Sequence, residues 1–355
     1  MIPISVCIIT KNEAEHLKKC LDSVKPYPFE IVVVDTGSTD NSKEVARQYT
    51  DKVYDFEWVD NFSTARNFSI SKASHNMILV LDTDERIKEL DLDAVYALIE
   101  SNPKAIGLLT RLDYFEINGI TRVQEATVDR LFNRKYYEYD NPIHECVYPI
   151  GKMPSQSYSS PILLEHFGYI GNQDTLNQKA LRDIRLLEKQ LEIEKDNPYI
   201  YFQIGQSYMI MRRESDAFPY LEKAMQLNPP TQFDYTRTLI NNYGELLLTY
   251  DRAPEALSLL SYYDTYQDNA DYLCLIGNIY TQLNEPLRAL PQYIKALTAP
   301  TYDSPDTRKE VPSYQIGHIY ECFGMLDIAK GHYENCGNYP PALERLAQLK
   351  IKHLM

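Results

Sequence analysis

No apolar run in this 355-residue chain approaches the about 20 residues that span a bilayer. Residues 1–10 are apolar but have neither a basic leader nor a small-residue cleavage site, so they do not read as a signal peptide. Basic residues are in deficit, 36 Lys and Arg against 50 Asp and Glu, for a net charge of −14. Phosphate-backbone binding needs clustered cations, and nucleic acid is excluded as a partner on that ground. The six cysteines (Cys7, Cys20, Cys146, Cys274, Cys322 and Cys336) form no Cys-x-x-Cys pair. Their scatter argues against a zinc site and a disulfide framework, and fits a reducing cytoplasm. Also absent are a glycine-rich dinucleotide fingerprint, a Walker lysine loop and a Gly-x-Ser-x-Gly elbow.

What is present divides into two halves, as the length suggests. Over residues 1–171 strand and helix alternate. Apolar strands are expected at 4–10, 30–34, 52–56 and 76–81, with helices at 13–24, 42–49 and 63–73 between them. This order predicts a mostly parallel sheet with helices on both faces. A helix near 92–100 and strands near 105–116 and 120–132 follow, and the remainder to about 171 reads as irregular. The most informative junction is Met77-Ile78-Leu79-Val80-Leu81 running into Asp82-Thr83-Asp84-Glu85. It places three acids at the carboxyl end of a buried strand, where open parallel sheets keep their ligand crevice. Acids this close repel one another unless a cation sits between them. The bland alternative is an acidic turn that caps the next helix.

A helix at 172–196 is expected to link to a second domain, 197–355. There Gly205, Gly244, Gly277 and Gly317 recur at spacings of 39, 33 and 40. Each is followed twelve residues later by an alanine: Ala217, Ala256, Ala289 and Ala329. Small residues on paired helices let them pack closely, and the spacing is near the period of about 34 of a tetratricopeptide repeat. This predicts an all-α helical-repeat domain. It holds many of the 29 tyrosines, most of them expected in interhelix packing. Tyr262, Tyr263 and Tyr266 could instead face a groove for a peptide or another subunit.

The first half resembles the family 2 glycosyltransferases of the GT-A, nucleotide-diphospho-sugar-binding fold. The resemblance rests on Ser5-Val6-Cys7-Ile8-Ile9-Thr10-Lys11-Asn12-Glu13, Glu30 through Asp40, Ala65-Arg66-Asn67 and Leu81-Asp82-Thr83-Asp84-Glu85. With the helical repeats attached, the chain is similar to the subgroup that includes bacteriocin-peptide S-glycosyltransferases. The resemblance implies a metal-dependent inverting transferase acting on a nucleotide sugar, with UDP the common choice. Asp84 is then a ligand of Mn²⁺ or Mg²⁺, and Asp82 and Thr83 contact the donor, Asp82 through the ribose or a metal-bound water. Asp35 would bind the nucleobase. Thr10, Asn12 and Glu13 would form the facing wall, and Arg66 would meet base or diphosphate. His166, in Leu164-Glu165-His166-Phe167-Gly168, is expected as a second metal ligand; the alternative is a histidine at a helix start bonded to backbone. Glu145, in Pro142-Ile143-His144-Glu145, is the first choice for catalytic base. Asp129 and Glu125 compete for that role, and His144 would orient acceptor or donor. The acceptor implied is a protein, a peptide or a cell-envelope glycan, held by the repeats, which also offer a route to homo-oligomers. Two other classes stay open: a repeat scaffold with an inactive first domain, and a nucleotidyltransferase.

Overall fold

The computed structural model describes residues 2–117, 120–151, 153–169 and 173–352. It begins β1 (Ile4–Thr10), α1 (Ala14–Val24), β2 (Glu30–Asp35), α2 (Ser42–Ala46), β3 (Val53–Asp55), α3 (Phe62–Lys72) and β4 (Met77–Leu81). Then come β5 (Glu85–Leu90), α4 (Leu92–Ser101), β6 (Ile106–Ile117), β7 (Ile120–Asn133), β8 (Tyr137–Asp140), β9 (Cys146–Pro149), β10 (Ser157–Tyr169) and α5 (Gln173–Ile193). Eight strands form one sheet in the order β3-β2-β1-β4-β7-β6-β10-β5. The pairings from β3 to β4 are parallel; β7 runs antiparallel to β4 and to β6, and β10 is parallel to β6.

The central strand β4 is apolar along its whole length, and β1 and β2 nearly so, because both faces are covered. All five residues of β4 are buried. On one face Leu17, Cys20, Leu21 and Val24 of α1 and Val95 and Ile99 of α4 pack on Val6, Ile8, Leu79 and Leu81. On the other, Ile70 of α3 and Tyr137, Tyr139 and Val147 of the β8–β9 hairpin meet Cys7, Val32, Ile78 and Val80. Alternate residues of one strand therefore feed two cores.

Two local expectations are corrected. The stretch read as irregular holds β8, β9 and β10. Pro161 and the register shift at Leu163/Leu164 interrupt β10 and hide its period-two pattern. The acidic turn does not cap a helix either: it leads straight into β5, and Asp91 caps α4 by accepting the Ala94 N–H at 3.0 Å. As the edge strand, β5 is charged (Glu85, Arg86, Lys88, Glu89), which suits a strand flanked on one side only.

The chain divides into two compact units, Met1–Gln190 and Leu191–Met355. Most of the helix expected as a linker therefore belongs to the first unit, and Gly171 lies outside the described residues. The second unit is helical: α6 (Pro198–Ile210), α7 (Glu214–Gln226), α8 (Asp234–Thr249), α9 (Ala253–Ala256), α10 (Tyr263–Tyr266), α11 (Ala270–Gln282), α12 (Pro286–Ala296), α13 (Glu310–Cys322), α14 (Leu326–Asn335) and α15 (Pro340–Lys352). The recurring glycines sit where helices touch. A Cβ on Gly277 would lie 2.5 Å from the Tyr293 ring, and one on Gly317 2.8 Å from the Tyr333 ring. The longer interval before Gly317 accommodates an extra 3-10 turn, Pro305–Arg308. Tyr266 is buried with its hydroxyl donating to the Thr231 carbonyl, while Tyr262 and Tyr263 pack part-buried on the same core.

Candidate functional site

The carboxyl ends of β1, β2 and β4 open into a cleft of about 500 Å³ in the first unit. Its wall includes Thr10, Glu13, Thr36, Arg66, Asp82, Thr83, Asp84, His144, Glu145, His166 and Lys179. Sheet register explains the meeting of residues far apart in sequence. On β10, His166 stands opposite Glu85 of β5 on one side and Asp113 of β6 on the other. That pairing delivers the imidazole to the residue just before β5, Asp84. The His166 Nε2 lies 3.7 Å from Asp84 Oδ1, and its Nδ1 is 2.8 Å from Asp113 Oδ1. A carboxylate behind a ring nitrogen fixes the imidazole's orientation and leaves the other nitrogen for a ligand. Desolvation disfavours the charged ring, but the Asp113 hydrogen bond and the Asp84 charge outweigh it, so the His166 pKa is raised.

Gly168 completes this corner. A Cβ there would fall 2.5 Å from His166 Nε2 and 2.6 Å from Asp84 Oδ2, so only glycine leaves the space between the two side chains open. Asp84 and His166 are the pair placed to share a cation. Among the described residues no cluster of three His, Cys, Asp or Glu side chains is arranged to hold one. One carboxylate and an oriented imidazole are the groups that could hold a divalent cation here.

The first acid of the motif also lines the cleft and is paired with two arginines. Asp82 Oδ1 accepts from Arg66 Nη2 at 2.7 Å, and Oδ2 from Arg130 Nη2 at 2.6 Å. Burial alone would raise the carboxyl pKa, yet Arg130 and Arg66 hold it well below the usual carboxylate range. Its backbone N–H also donates to Glu85 Oε2 at 2.9 Å, which fixes the turn. Both carboxylate oxygens are thus committed to arginines, and Asp82 anchors the turn that presents Asp84. Arg66 reaches onward through Nε to Glu145 Oε1 at 2.5 Å, and its guanidinium lies over the Tyr139 ring. Arg130 and Arg111 each approach Glu85 Oε1 at 3.3 Å, and Arg111 grips Asp113 at 2.7 Å. A path of alternating charge therefore runs from Glu145 through Asp82, Glu85 and Asp113 to His166 and Asp84.

At the other end of the cleft, β1 and β2 pair Thr10 with Asp35. Asp35 Oδ1 accepts the Gly37 and Ser38 N–H groups at 3.0 and 2.8 Å. Its Oδ2 and the Thr10 hydroxyl are buried with no hydrogen-bond partner. Such atoms are costly unless a ligand satisfies them. Asn12, left-handed at φ 53, is used structurally: its Oδ1 accepts from Thr39 N at 2.6 Å and so ties the first two crossover loops together. Asp129 accepts the Val147 N–H at 3.2 Å, joining β7 to β9, and is absent from the cleft wall; Glu125 is exposed on β7. Glu145 and His144 share a loop held to α3 by Ser63 Oγ donating to the Asn141 carbonyl at 2.6 Å and by Phe62 N–H donating to the Pro142 carbonyl at 2.8 Å.

Residues 5–157 match the family described as glycosyl transferase family 2. The first unit is a family 2 glycosyltransferase domain. Residues 198–231 match a tetratricopeptide repeat. The chain is 29% identical over 275 residues to the SPbeta prophage-derived glycosyltransferase SunS of Bacillus subtilis, covering 70% of this chain and 62% of that protein. It is 32% identical over 218 residues to a TPR repeat-containing protein of Synechococcus elongatus, covering 58% of this chain and 52% of that protein. A lipopolysaccharide core biosynthesis glycosyltransferase, LpsC of Rhizobium meliloti, is 27% identical over 161 residues, covering 43% and 59%. The chain thus spans between half and two thirds of the length of these relatives.

Within the family 2 domain, sequence reasoning passed over Arg130, Arg111, Asp113, Gly168 and Lys179, and gave Glu85 no role beyond its place in the acidic junction. For Arg111 and Asp113 a signal existed: charges inside a strand segment otherwise largely apolar, residues 106–115. Gly168 lay inside a motif already singled out for His166. Lys179 had no signal, because nothing in a helical sequence says which strand end the helix crosses. The chain's one tryptophan, Trp58, also lines the cleft, edge-on to Phe62 at 4.8 Å.

Proposed function

We propose that the chain transfers a glycosyl group from a nucleoside diphosphate sugar, with UDP as the carrier, to a polypeptide or cell-envelope glycan acceptor. The observation that carries this is the Asp84–His166 pair, backed by Asp113 and opened by Gly168, in the same cleft as Thr10, whose hydroxyl, like Asp35 Oδ2 on the paired strand β2, is buried without a hydrogen-bond partner. One corner suits a cation with a diphosphate; the other suits the donor edge of a pyrimidine.

In this reading Asp35 Oδ2 accepts an imide N–H of the base and Thr10 Oγ satisfies a neighbouring polar atom. Asp84 and His166 would hold Mn²⁺ or Mg²⁺. When bound, the cation supplies charge stabilisation to the departing diphosphate. Glu145 remains the candidate base: Arg66 engages its Oε1, leaving the carboxylate fixed at the cleft wall with Oε2 available to an acceptor proton. The family resemblance supports inversion, and the helical repeats support a peptide acceptor or self-association. All six cysteines are free, which fits a reducing, cytoplasmic setting. Among the described residues no helix is long and apolar enough to cross a membrane.

The test is thermal stabilisation by UDP with and without Mn²⁺, joined to donor hydrolysis by D84A. UDP with Mn²⁺ should raise the melting temperature, and D84A should remain folded while losing turnover at least about 100-fold. No shift under either condition favours a scaffold, a shift with nucleoside triphosphates alone favours nucleotidyl transfer, and unchanged D84A turnover removes the metal assignment.

A further inference from the structure

Lys179, on α5, lies with its ammonium 3.5 Å from Asp84 Oδ2 and 3.7 Å from Glu13 Oε1. It is shared between two carboxylates from different loops and locked to neither. The other α5 cations on the cleft wall are committed. Arg185 donates to Asp60 at 2.7 Å, and Arg182 grips Asp183 at 2.8 and 2.9 Å while lying 5.0 Å over the Phe62 ring. A lysine ammonium is a compact charge on a flexible stem and can change partners without moving the backbone. Asp84 therefore addresses two cationic positions, Oδ1 toward His166 and Oδ2 toward Lys179.

We propose that Lys179 is a resident counter-ion that exchanges carboxylates for the donor's diphosphate. In the free chain it balances Asp84 and Glu13. With donor in the cleft its ammonium passes to the phosphate oxygens and frees Asp84 for a divalent cation. This rests on the glycosyl-transfer reading above and deepens it, since it assigns α5 to diphosphate recognition. The exchange has opposite signs for its two ligands: Lys179 competes with a divalent cation presented alone and assists a diphosphate presented alone.

Full-length wild type, K179M and K179R are compared, with Trp58 fluorescence reporting pyrophosphate, UDP and uridine, and electron paramagnetic resonance reporting free Mn²⁺. Far-UV circular dichroism confirms that the variants fold. K179M should bind Mn²⁺ about three- to tenfold more tightly, because a neighbouring like charge is gone. It should bind UDP and pyrophosphate at least about fivefold more weakly, with uridine unchanged and K179R restoring most of the loss. Equal weakening of uridine and UDP, unchanged UDP and pyrophosphate affinity, or unchanged Mn²⁺ affinity would each overturn the exchange. UDP bound normally by wild type and K179M alike removes only this proposal. A wild type that binds no nucleoside diphosphate removes the donor reading and this proposal together.

Discussion

Two aspartates separated by a single threonine have different partners. Asp82 has each oxygen on an arginine; Asp84 faces an imidazole and a loosely held lysine. Each Asp82 oxygen is held by one guanidinium, which fixes the carboxylate's position at the cleft wall and neutralises its charge. The space beside Asp84 depends on one missing methyl. G168A should weaken Mn²⁺ binding by about 10- to 100-fold, as losses around a metal ligand do. Its Cβ would sit 2.5 Å from His166 Nε2. Gly168 lies in strand β10, so alanine suits its backbone, and the cost to stability is the clash with His166 and Asp84, about 1–3 kcal/mol, which leaves the variant folded. An isothermal titration with Mn²⁺ and a melting curve separate the two; a normal Mn²⁺ affinity would show that the corner is not a metal site.

At the scale of elements, the sheet is stapled at the end away from the cleft. Glu30, which opens β2, accepts from Ser5 Oγ of β1 at 2.5 Å and from Ser74 N–H just before β4 at 2.7 Å. It also pairs with Lys52, just before β3. Burial alone would raise the Glu30 carboxyl, but Lys52, Ser5 and Ser74 outweigh it and bring the pKa from the ordinary 4.5 to about 2. The native-state value lies below the unfolded one, so the stabilisation is complete above about pH 4.5 and fades as pH falls toward 2. E30Q should therefore cost about 1–2 kcal/mol at pH 7 after allowance for solvent screening, and progressively less toward pH 2. Urea titrations at several pH values check this; a pH-independent difference would assign the effect to lost hydrogen bonds rather than charge.

The whole molecule has separate cores, one on each face of the sheet and others among the helical repeats. In the second unit the small residues set how closely paired helices approach. G277V forces a side chain into the Tyr293 ring, and overpacking of this kind costs about 1–3 kcal/mol. Urea unfolding followed at the helical circular dichroism band should show the loss. A neutral result would mean that α11 and α12 can separate, and that the recurring glycine is not what holds them close.

Hydrophobic period determined the mostly parallel sheet and the placing of Asp82-Thr83-Asp84 at the end of a buried strand, and the recurring glycine–alanine spacing determined the helical repeats. Those features are local: an apolar run such as Met77–Leu81 is buried whatever its neighbours, and a glycine twelve residues before an alanine describes one helix pair. Strand β5 escaped notice because an edge strand tolerates charge, and β10 because Pro161 and a register shift break its pattern. Which charges pair was beyond the sequence. His166 meets Asp113 and Asp84 through the β5–β10–β6 register, Asp82 meets Arg66 and Arg130 across three elements, and Lys179 reaches Asp84 from a helix 95 positions on. Coulomb pairing depends on distance in space, and chain position carries no record of that until the sheet has formed.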